Sequence, residues 1–265
     1  MDLKKKVVWL TGASSGIGEA LAIALARENV KLVLSARRED ELRRVAATAN
    51  LPEQDYMIVP LDLENQASFE AKKEEVIKRF GQVDVLINNG GISQRSLARD
   101  TEVSVDRKLM EINYFGTIAL SKLLLKHFLE RKSGMIVTVT SAVGKFGSPW
   151  RSGYAASKHA LHGFFDSLRA EVSNEGIDIL LVCPGFIQTN VSKNALTGSG
   201  AILGTMDTAT ANGLTADACA AQMIQAIKAE KQEVFIGGFK ESLGIWMKRI
   251  SPWLLSVMLR KMAVR

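Results

Sequence analysis

The sequence predicts an α/β fold, in which helices cover both faces of one doubly wound sheet of seven parallel strands. Seven short apolar runs, typical of strands buried in a parallel sheet, lie near residues 6–11, 31–36, 56–61, 83–88, 134–140, 177–183 and 233–236. Helical patterns fill the intervals, and this alternation predicts right-handed crossovers between neighbouring strands. At 265 residues and 47% hydrophobic composition, the chain is long enough to bury a large core.

No linker interrupts this alternation, so we predict one domain over residues 1–239 and a C-terminal extension over residues 240–265. One long interval, residues 189–214, is rich in Gly, Ser, Thr and Ala and follows the carboxyl end of a predicted strand. Open α/β sheets bind ligands at that edge. We therefore predict that residues 189–214 form a mobile flap over a substrate; the alternative is a plain surface loop.

The first predicted strand ends in a glycine-rich turn, Gly12-Ala13-Ser14-Ser15-Gly16-Ile17-Gly18, and a helical pattern follows. Strand, glycine turn and helix form the start of a dinucleotide-binding, or Rossmann, unit. Gly12 allows a sharp turn, Gly16 lets the backbone approach a phosphate, and Gly18 permits close packing of helix on strand. The free N–H groups at the helix start suit a pyrophosphate, so the turn, with Ser14, Ser15 and Ile17, is a predicted cofactor site.

The end of the second predicted strand indicates which nucleotide is bound. NAD-binding units usually place Asp or Glu there to bond the ribose 2′-hydroxyl. This chain has Ala36 and then Arg37 and Arg38, and a guanidinium can bind a 2′-phosphate through two hydrogen bonds. We therefore predict NADP(H) rather than NAD(H). The alternative is that the two arginines only begin the charged helix that follows.

Tyr154 and Lys158 lie four residues apart in a helical pattern, and so on one face of a helix. A tyrosine has a pKa of about 10, and a lysine cation nearby favours the phenolate and lowers that pKa towards the range that suits a general acid at neutral pH. The Ser141 hydroxyl, upstream of Tyr154, could hold the oxygen that is reduced. The alternative is a surface Tyr and Lys on an amphipathic helix, and the glycine turn argues against it.

Five motifs occur in the order and spacing of the short-chain dehydrogenases/reductases, and the chain resembles this family over residues 5–236. The motifs are TGASSGIG, Asn88-Asn89-Gly90-Gly91, Ser141, Tyr154-x-x-x-Lys158 and Pro184-Gly185. Within the family, the stretches NNGGISQRSL and SARREDEL are similar to the carbonyl and hydroxysteroid reductases. In one departure, Gly90 stands where the family usually has Ala, which loosens the loop without changing a chemical group.

The resemblance implies a role for each motif residue. Tyr154 would be the general acid in reduction and the base in oxidation, while Lys158 would lower its pKa and bond the nicotinamide ribose. Ser141 would polarise the substrate carbonyl, and Asn113 would hold a water that links Lys158 to solvent. The other implied cofactor contacts are Asp62, Leu63, Asn89, Gly90, Pro184, Gly185, Ile187 and Thr189. The family also implies a homodimer or homotetramer, through helices near residues 103–131 and 152–175.

For the substrate we predict contacts with Ser141, Val143, Tyr154 and Phe186. The wider predicted pocket also includes Ser93, Gln94, Ala142, Phe146 and Trp150. This largely apolar set suits a hydrophobic ketone, aldehyde or sterol-like alcohol. The leading hypothesis is an NADP(H)-dependent oxidoreductase that interconverts a carbonyl and a secondary alcohol. The alternatives are a non-catalytic NADP(H)-binding sensor or scaffold, and a structural, membrane-bound protein in which the extension matters most.

The positive charge is concentrated at one end of the chain. Of 34 basic and 28 acidic residues, six basic residues and Glu241 lie in residues 240–265, so the remainder is nearly neutral. The same segment carries Trp246, Trp253 and many Leu, Ile and Met residues, and Pro252 should divide it into two short helices. Three interpretations are open: a cap on the pocket or on a subunit partner, a peripheral membrane anchor, or, least favoured, nucleic-acid contact, which we do not expect.

The cysteines and histidines predict no metal site. Cys183 ends an apolar run and Cys219 lies in a helical pattern, while His127, His159 and His162 show no metal-ligand spacing with Cys or Asp. Two cysteines and a strand at the very start of the chain suggest a reducing, cytoplasmic setting. No apolar run reaches the roughly 20 residues of a membrane-spanning helix.

Overall fold

A computed structural model describes residues 1–261, except for the side chains of residues 240 and 261; Met262 and Arg265 of the predicted extension lie outside the described residues. The strands are β1 (Val7–Thr11), β2 (Lys31–Ser35), β3 (Tyr56–Ile58), β4 (Val85–Asn88), β5 (Gly134–Val139), β6 (Ile177–Pro184), β7 (Ile187–Gln188), β8 (Leu214–Thr215) and β9 (Glu233–Ile236).

Seven of these strands form one parallel sheet in the order β3-β2-β1-β4-β5-β6-β9, and β7 and β8 form a separate short ladder. The predicted doubly wound Rossmann fold is confirmed, and each predicted strand is present. β3 is shorter than predicted and ends at Ile58. Val59 N and Leu61 N still donate to Leu34 O and Ala36 O at 3.0 Å, and Pro60 between them is tolerated because β3 is an edge strand. The chain order reverses at β1 and β4, which opens a crevice at their carboxyl ends.

The helices are α1 (Gly16–Ala26), α2 (Glu39–Thr48), α3 (Phe69–Phe80), α4 (Val103–Met110), α5 (Thr117–Arg131), α6 (Ser152–Glu171), α7 (Thr208–Ala211), α8 (Ala216–Lys228), α9 (Phe239–Ile250) and α10 (Pro252–Lys261). A π-helix (Glu111–Gly116) joins α4 to α5. Short 3₁₀ turns occur at Glu53–Asp55, Gln66–Ser68, Ala98–Asp100 and Ala142–Gly144.

The sheet separates two hydrophobic layers, since successive side chains of a strand point to opposite faces. Val8 and Leu10 of β1 pack in one layer with α1 and α8, while Val7 and Trp9 pack in the other with α5 and α6. Trp9 is fully buried, and its indole N–H donates to Ser35 Oγ at 2.8 Å. These two layers hold the carboxyl ends of the strands in a fixed arrangement.

The segment 189–214, for which the sequence predicts a mobile flap, has several hydrogen bonds to the domain. Leu196 N donates to Ser93 O, and Arg95 N donates to Leu196 O, both at 2.8 Å. The segment contains α7, and it runs from the end of β7 to the start of β8. Tertiary hydrogen bonds therefore order a stretch that has no strong preference of its own for helix or strand.

The C-terminal extension packs as two helices against the domain. Leu255 of α10 is 4% exposed and lies in a cluster with Ala142 and Phe146. The Glu241 carboxylate of α9 accepts a hydrogen bond from Phe186 N at 3.2 Å. Pro252 is the first residue of α10, a position where the missing N–H costs nothing. Among the described helices, none combines the length and apolar character that crossing a membrane requires.

Replacement of Leu255 by Ala should loosen the extension. The substitution removes buried methyl groups from the contact with Phe146, at a cost of about 2–3 kcal/mol. Amide hydrogen exchange across residues 239–260 should accelerate correspondingly. Leu254 is the matched control, because it is 43% exposed, and Leu254→Ala should leave exchange nearly unchanged. Equal effects of the two substitutions would contradict the packing described.

Candidate active site

A cavity of about 690 Å³ opens at the carboxyl edge of the sheet, between the two halves of the fold. It brings together residues that are far apart in sequence. The predicted site residues that line it are Gly12, Ser14, Ser15, Gly16, Ile17, Arg37, Arg38, Asp62, Leu63, Asn89, Gly90, Ser141, Tyr154, Lys158, Pro184, Gly185, Ile187 and Thr189. Gly18, Asn113, Val143 and Phe186 lie outside this lining.

The glycine turn leaves room for a ligand at the start of α1. Gly12 and Gly16 have φ values of +64° and +60°, which favour glycine. A Cβ on Gly18 would lie 2.1 Å from Gly12 O, so Gly18 serves helix–strand packing, which explains its absence from the lining. The first N–H groups of a helix have no partner within the helix. At the start of α1 the side chain of Ser15 does not bond to them, so they are available to a ligand. This arrangement fits a pyrophosphate.

The end of β2 presents cations and no carboxylate to the cavity. Ala36, Arg37 and Arg38 all line it, and both arginine side chains are exposed. Arg38 Nη2 lies 3.5 Å from Ser14 Oγ, at the glycine turn. Arg38 is also the residue before α2, so it begins the charged helix as well. Arg38 thus both begins the charged helix and faces the cavity, where a 2′-phosphate is predicted.

Asn113 lies in the π-helix between α4 and α5 and is fully buried. Its Oδ1 accepts from Ile92 N at 2.8 Å, and its Nδ2 donates to Ile92 O at 2.9 Å and to Ser157 Oγ at 3.0 Å. Asn113 therefore fastens the loop after β4 to α6. The sequence predicts ordinary helix here; π-helical turns are often found at functional sites.

Lys158 is 5% exposed, and its Nζ donates to Val139 O at 2.9 Å. Burial lowers the pKa of Lys158 to about 8. The ammonium retains donors that Val139 O does not use, and they are available to a ligand in the cavity. A Cβ on Gly91 would lie 3.7 Å from Nζ and 2.9 Å from Asn113 Oδ1, so glycine keeps this approach open.

The charge balance at Tyr154 differs from the sequence prediction. Burial raises the pKa of Tyr154 above its ordinary value, and Ser141, Arg95 and Arg151 in that order act to lower it. Lys158 Nζ lies 5.9 Å from the centre of the Tyr154 ring and points to Val139 O. Ser141 and the two arginines therefore oppose the effect of burial on the pKa of Tyr154; the sequence predicts this effect for Lys158.

Several predicted pocket residues have other contacts. Gln94 is fully buried, and its Oε1 accepts from Gly153 N at 2.9 Å and from Tyr154 N at 3.2 Å, which caps α6. Ala142 and Phe146 pack under the extension. Ser93 and Trp150, like Val143 and Phe186, do not line the cavity. The rest of the cavity wall includes Ile92, Lys108 and Ile112, which the sequence did not single out. It also includes Asn194, Leu196 and Ile202, which belong to the segment 189–214 that the sequence predicts over the substrate.

One cluster escaped the sequence analysis because its members are distant in the chain. His162, Cys183 and Glu233 bring their polar atoms within 4.8 Å of one another. His162 Nε2 faces Cys183 Sγ at 3.7 Å, whereas Nδ1 faces Glu233 Oε2 at 3.8 Å. A single metal ion would bind only one imidazole nitrogen, whereas Cys183 and Glu233 face different nitrogens of His162. Because Lys145 also forms an ion pair with Glu233, the arrangement does not suit a metal ion. Burial lowers the pKa of His162 to about 4 and raises that of Cys183 to about 11.

Comparison with known proteins agrees with this geometry. The short chain dehydrogenase family profile matches residues 6–199. A dehydrogenase/reductase SDR family protein 7-like of Anopheles gambiae is 43% identical over 266 residues, covering 98% of this chain and 84% of the relative. The human dehydrogenase/reductase SDR family member 7 is 51% identical over 202 residues, covering 74% of this chain and 60% of the relative.

Solved structures give the same result for the fold. An alcohol dehydrogenase from Thermococcus sibiricus, complexed with 5-hydroxy-NADP, superposes with a TM-score of 0.74 at 26% identity, covering 88% of this chain and 97% of its own. A short chain dehydrogenase/reductase from Burkholderia phymatum, in complex with NAD, has a TM-score of 0.85 at 22% identity and covers 96% of both chains.

The fold and the matched relatives together define an oxidoreductase of the class that binds a nicotinamide nucleotide at the carboxyl edge of a Rossmann sheet. This chain belongs to the short-chain dehydrogenase/reductase family, and its relatives include proteins named dehydrogenase/reductase SDR family member 7.

Proposed function

We propose that the protein is an NADP(H)-dependent oxidoreductase that interconverts a carbonyl and a secondary alcohol on a hydrophobic substrate. The observation that carries the proposal is that Ser141, Tyr154 and Lys158 line the same cavity as the glycine turn. The proposed proton donor and the proposed nucleotide site would thus share one cavity. Ile92, Ile112, Leu196 and Ile202 contribute an apolar surface to the wall, beside the polar Lys108 and Asn194, and this surface suits an apolar substrate.

The bound nicotinamide would supply or accept the hydride. In reduction, Tyr154 would donate its hydroxyl proton to the substrate oxygen, which Ser141 Oγ would hold by a hydrogen bond. Lys158 would bond the ribose hydroxyls with the donors that Val139 O leaves free. Both amide hydrogens of Asn113 are used, while its Oδ1 accepts only from Ile92 N and keeps a second acceptor site. Asn113 would hold a water that links Lys158 to solvent.

NADP(H) is the proposed cofactor, with NAD(H) less favoured. Arg37 and Arg38 line the cavity where NAD-binding units usually have a carboxylate. Asp62 and Leu63 would contact the adenine, Asn89 and Gly90 its ribose, and Pro184, Gly185, Ile187 and Thr189 the nicotinamide end. A non-catalytic nucleotide sensor is the alternative. The presence of Asn113, Ser141, Tyr154 and Lys158 together favours an enzyme.

Two further proposals concern what the protein associates with. We propose a homo-oligomer formed through α4, α5 and α6, where Val103 and Phe115 are exposed apolar residues. We propose no nucleic-acid partner, and the cytoplasmic setting remains a prediction.

The extension also presents an apolar stripe to solvent. Phe239, Leu243, Trp246 and Ile250 share one face of α9, and they are 80%, 39%, 62% and 79% exposed. Trp253 continues the surface at the start of α10, with 74% exposure.

We propose that this stripe binds an anionic lipid surface. The exposed cations Lys248, Arg249 and Arg260 flank it, while the Glu241 carboxylate bonds to Phe186 N. Exposed Trp residues beside basic side chains suit the interface of a bilayer, and the net positive charge would repel a second copy of the same surface.

Substitution of Tyr154 by Phe should reduce turnover at least about 100-fold, because the proton donor is lost. NADPH affinity should stay within about twofold, since the contacts of Lys158 and the glycine turn remain. NADPH oxidation with an apolar aryl ketone or phenanthrenequinone measures turnover, and nicotinamide fluorescence measures binding. Tyr56→Phe, on β3, is the control and should retain activity. Retained turnover in Tyr154→Phe would refute the assigned proton donor.

Substitution of Arg37 by Gln should weaken NADPH binding about 10-fold or more, because a charge-assisted bond to the 2′-phosphate is lost. NADH binding should not change, since that nucleotide has no 2′-phosphate. Fluorescence titration with each nucleotide measures both affinities. Arg43→Gln is the control, because Arg43 pairs with Glu39 on the exposed face of α2. Tighter binding of NADH than NADPH by the unaltered protein would overturn the assignment of NADP(H).

The double substitution Trp246→Ser and Ile250→Ser should abolish co-sedimentation with phosphatidylserine-containing vesicles. Binding by the unaltered protein should fall at high salt, because basic residues contribute to it. Val103→Ser removes an equally exposed apolar residue outside the extension and should bind normally. Self-association that the double substitution abolishes, without any vesicle binding, would assign the stripe to a subunit interface instead.

A further inference from the structure

A buried cluster of charged side chains, the Arg–Asp–Arg cluster, joins three separate segments beside the proposed catalytic tyrosine. Arg95 Nε and Nη2 donate to Asp207 Oδ2 at 2.9 Å and 2.7 Å, and Arg151 Nη2 lies 3.5 Å from the same oxygen. The side chains of Arg95, Asp207 and Arg151 are 10%, 7% and 4% exposed. One carboxylate is therefore shared by two guanidinium groups, which leaves one surplus positive charge.

Each member of the cluster is fixed by further contacts. Asp207 Oδ1 accepts from Thr210 N at 2.7 Å and so caps α7. Arg95 Nη1 donates to Ser93 Oγ at 2.8 Å and to Gln94 O at 2.7 Å.

The guanidinium of Arg151 lies over the Phe186 ring at 5.4 Å. Its Nη2 is buried without a hydrogen bond in the described part of the chain. Burial of a guanidinium with incomplete pairing costs free energy. One arginine paired with Asp207 would be enough to hold the segment 189–214, so the second guanidinium needs another explanation.

The cluster lies at the first turn of α6, close to Tyr154. Arg151 precedes Tyr154 by less than one helical turn, and Gln94, next to Arg95, accepts from Tyr154 N. Burial raises the pKa of Tyr154, and Ser141, Arg95 and Arg151 lower it.

Other charged groups approach Tyr154 from each element packed against it. Lys158 lies on its own helix, Asp106 of α4 lies beside Gly153, and Lys108 of α4 lines the cavity. Asp207 is the acidic group of the segment 189–214 that reaches this region, through its pairs with both arginines.

We infer that the Arg–Asp–Arg cluster is a positioning device for the proposed reaction, in which Asp207 clamps the segment 189–214 over the cavity and the surplus guanidinium charge favours the phenolate of Tyr154. The inference rests on the proposed role of Tyr154. The clamped segment contributes Thr189, Asn194, Leu196 and Ile202 to the cavity wall. The same three side chains thus shape the substrate side and set the charge at the proton donor.

A cycle of substitutions at Arg95 and Asp207 separates the effect of the surplus charge on Tyr154 from the effect of the ion pair that holds the segment 189–214. Arg95→Gln removes the surplus charge and breaks the clamp. Asp207→Asn breaks the same pair but increases the surplus charge, and the Asn side chain can still cap α7. The double substitution restores the original surplus charge while the clamp stays broken. Arg95→Lys keeps the charge with poorer pairing geometry.

The first readout is the titration of Tyr154 itself, which requires no turnover. The tyrosines are replaced by 3-fluorotyrosine, which titrates at lower pH than tyrosine, and fluorine NMR follows the signal that Tyr154→Phe removes. Arg95→Gln should raise the pKa of this residue by about one unit. Asp207→Asn should leave it unchanged or lower it, and the double substitution and Arg95→Lys should return it to the original value.

A rise of similar size in both single variants, or no change in any variant, would overturn the charge assignment. If Arg95→Gln fails to fold, Asp207→Asn decides the question, because a rise in that variant contradicts the inference. Neither result depends on whether the protein turns over a carbonyl. Failure of the proposed function would appear separately, as retained turnover in Tyr154→Phe.

The second readout is tryptic cleavage after Lys193, an exposed residue in the clamped segment. Asp207→Asn and the double substitution should be cleaved at least about fivefold faster than the unaltered protein, because local opening becomes easier. Cleavage after Lys132, in the turn beyond α5, is the internal control and should not change. Unaltered cleavage after Lys193 in both variants would overturn the clamp.

Discussion

The structure depends on the contact between the two loops that follow β1 and β4. Asn89 Nδ2 donates to Thr11 O and Gly12 O at 3.1 Å, and Thr11 Oγ1 accepts from Asn89 N and Gly90 N at 3.0 Å. A Cβ on Gly12 would lie 2.7 Å from Gly90 Cα, so the loops meet backbone to backbone. The chain leaves these adjacent strands in opposite directions, and these hydrogen bonds fix the crevice in which the cavity opens.

Burial controls the chemistry of this cavity. It raises the pKa of Tyr154 and lowers that of Lys158 to about 8, because removal from water disfavours both the phenolate and the ammonium. The two pKa values, which are similar in water, therefore move apart, and the Lys158 ammonium becomes the more acidic of the two groups. Ser141 and the two arginines of the Arg–Asp–Arg cluster offset the effect on Tyr154. In the proposed reaction, the position of the segment 189–214 would bear on both substrate access and proton transfer.

The extension is connected to the same loop that carries Pro184 and Gly185. Glu241 of α9 accepts from Phe186 N at 3.2 Å, and a Cβ on Gly185 would lie 2.9 Å from Glu241 Oε1. Leu255 packs on Phe146, close to the turn that begins with Ser141. Glu241 and Leu255 thus join the extension to the two loops that carry the cavity residues Gly185 and Ser141.

The sequence by itself determined the sheet, the glycine turn and the set of polar residues at its carboxyl edge. Buried strands and tight turns require particular residues at neighbouring positions, so they can be recognised locally. Apolar runs indicate the strands, glycine stands at positions 12 and 16 where the backbone is left-handed, and Tyr154 and Lys158 are spaced by one helical turn. The end of β3 shows the limit of such patterns, since the regular strand ends at Ile58 although the apolar run and its hydrogen bonds to the β2 side continue to Leu61.

Only the tertiary structure decided which groups act on Tyr154, and what covers the cavity. Arg95, Arg151 and Asp207 belong to segments without a shared sequence pattern, and they meet because the segment 189–214 folds back onto the loop after β4. The π-helix around Asn113 and the departure of Val143 and Phe186 from the cavity wall have the same origin. Packing between distant segments decides which side chains lie close together, how buried they are and which charges face one another. These properties do not repeat at regular intervals along the chain, so a single sequence does not reveal them.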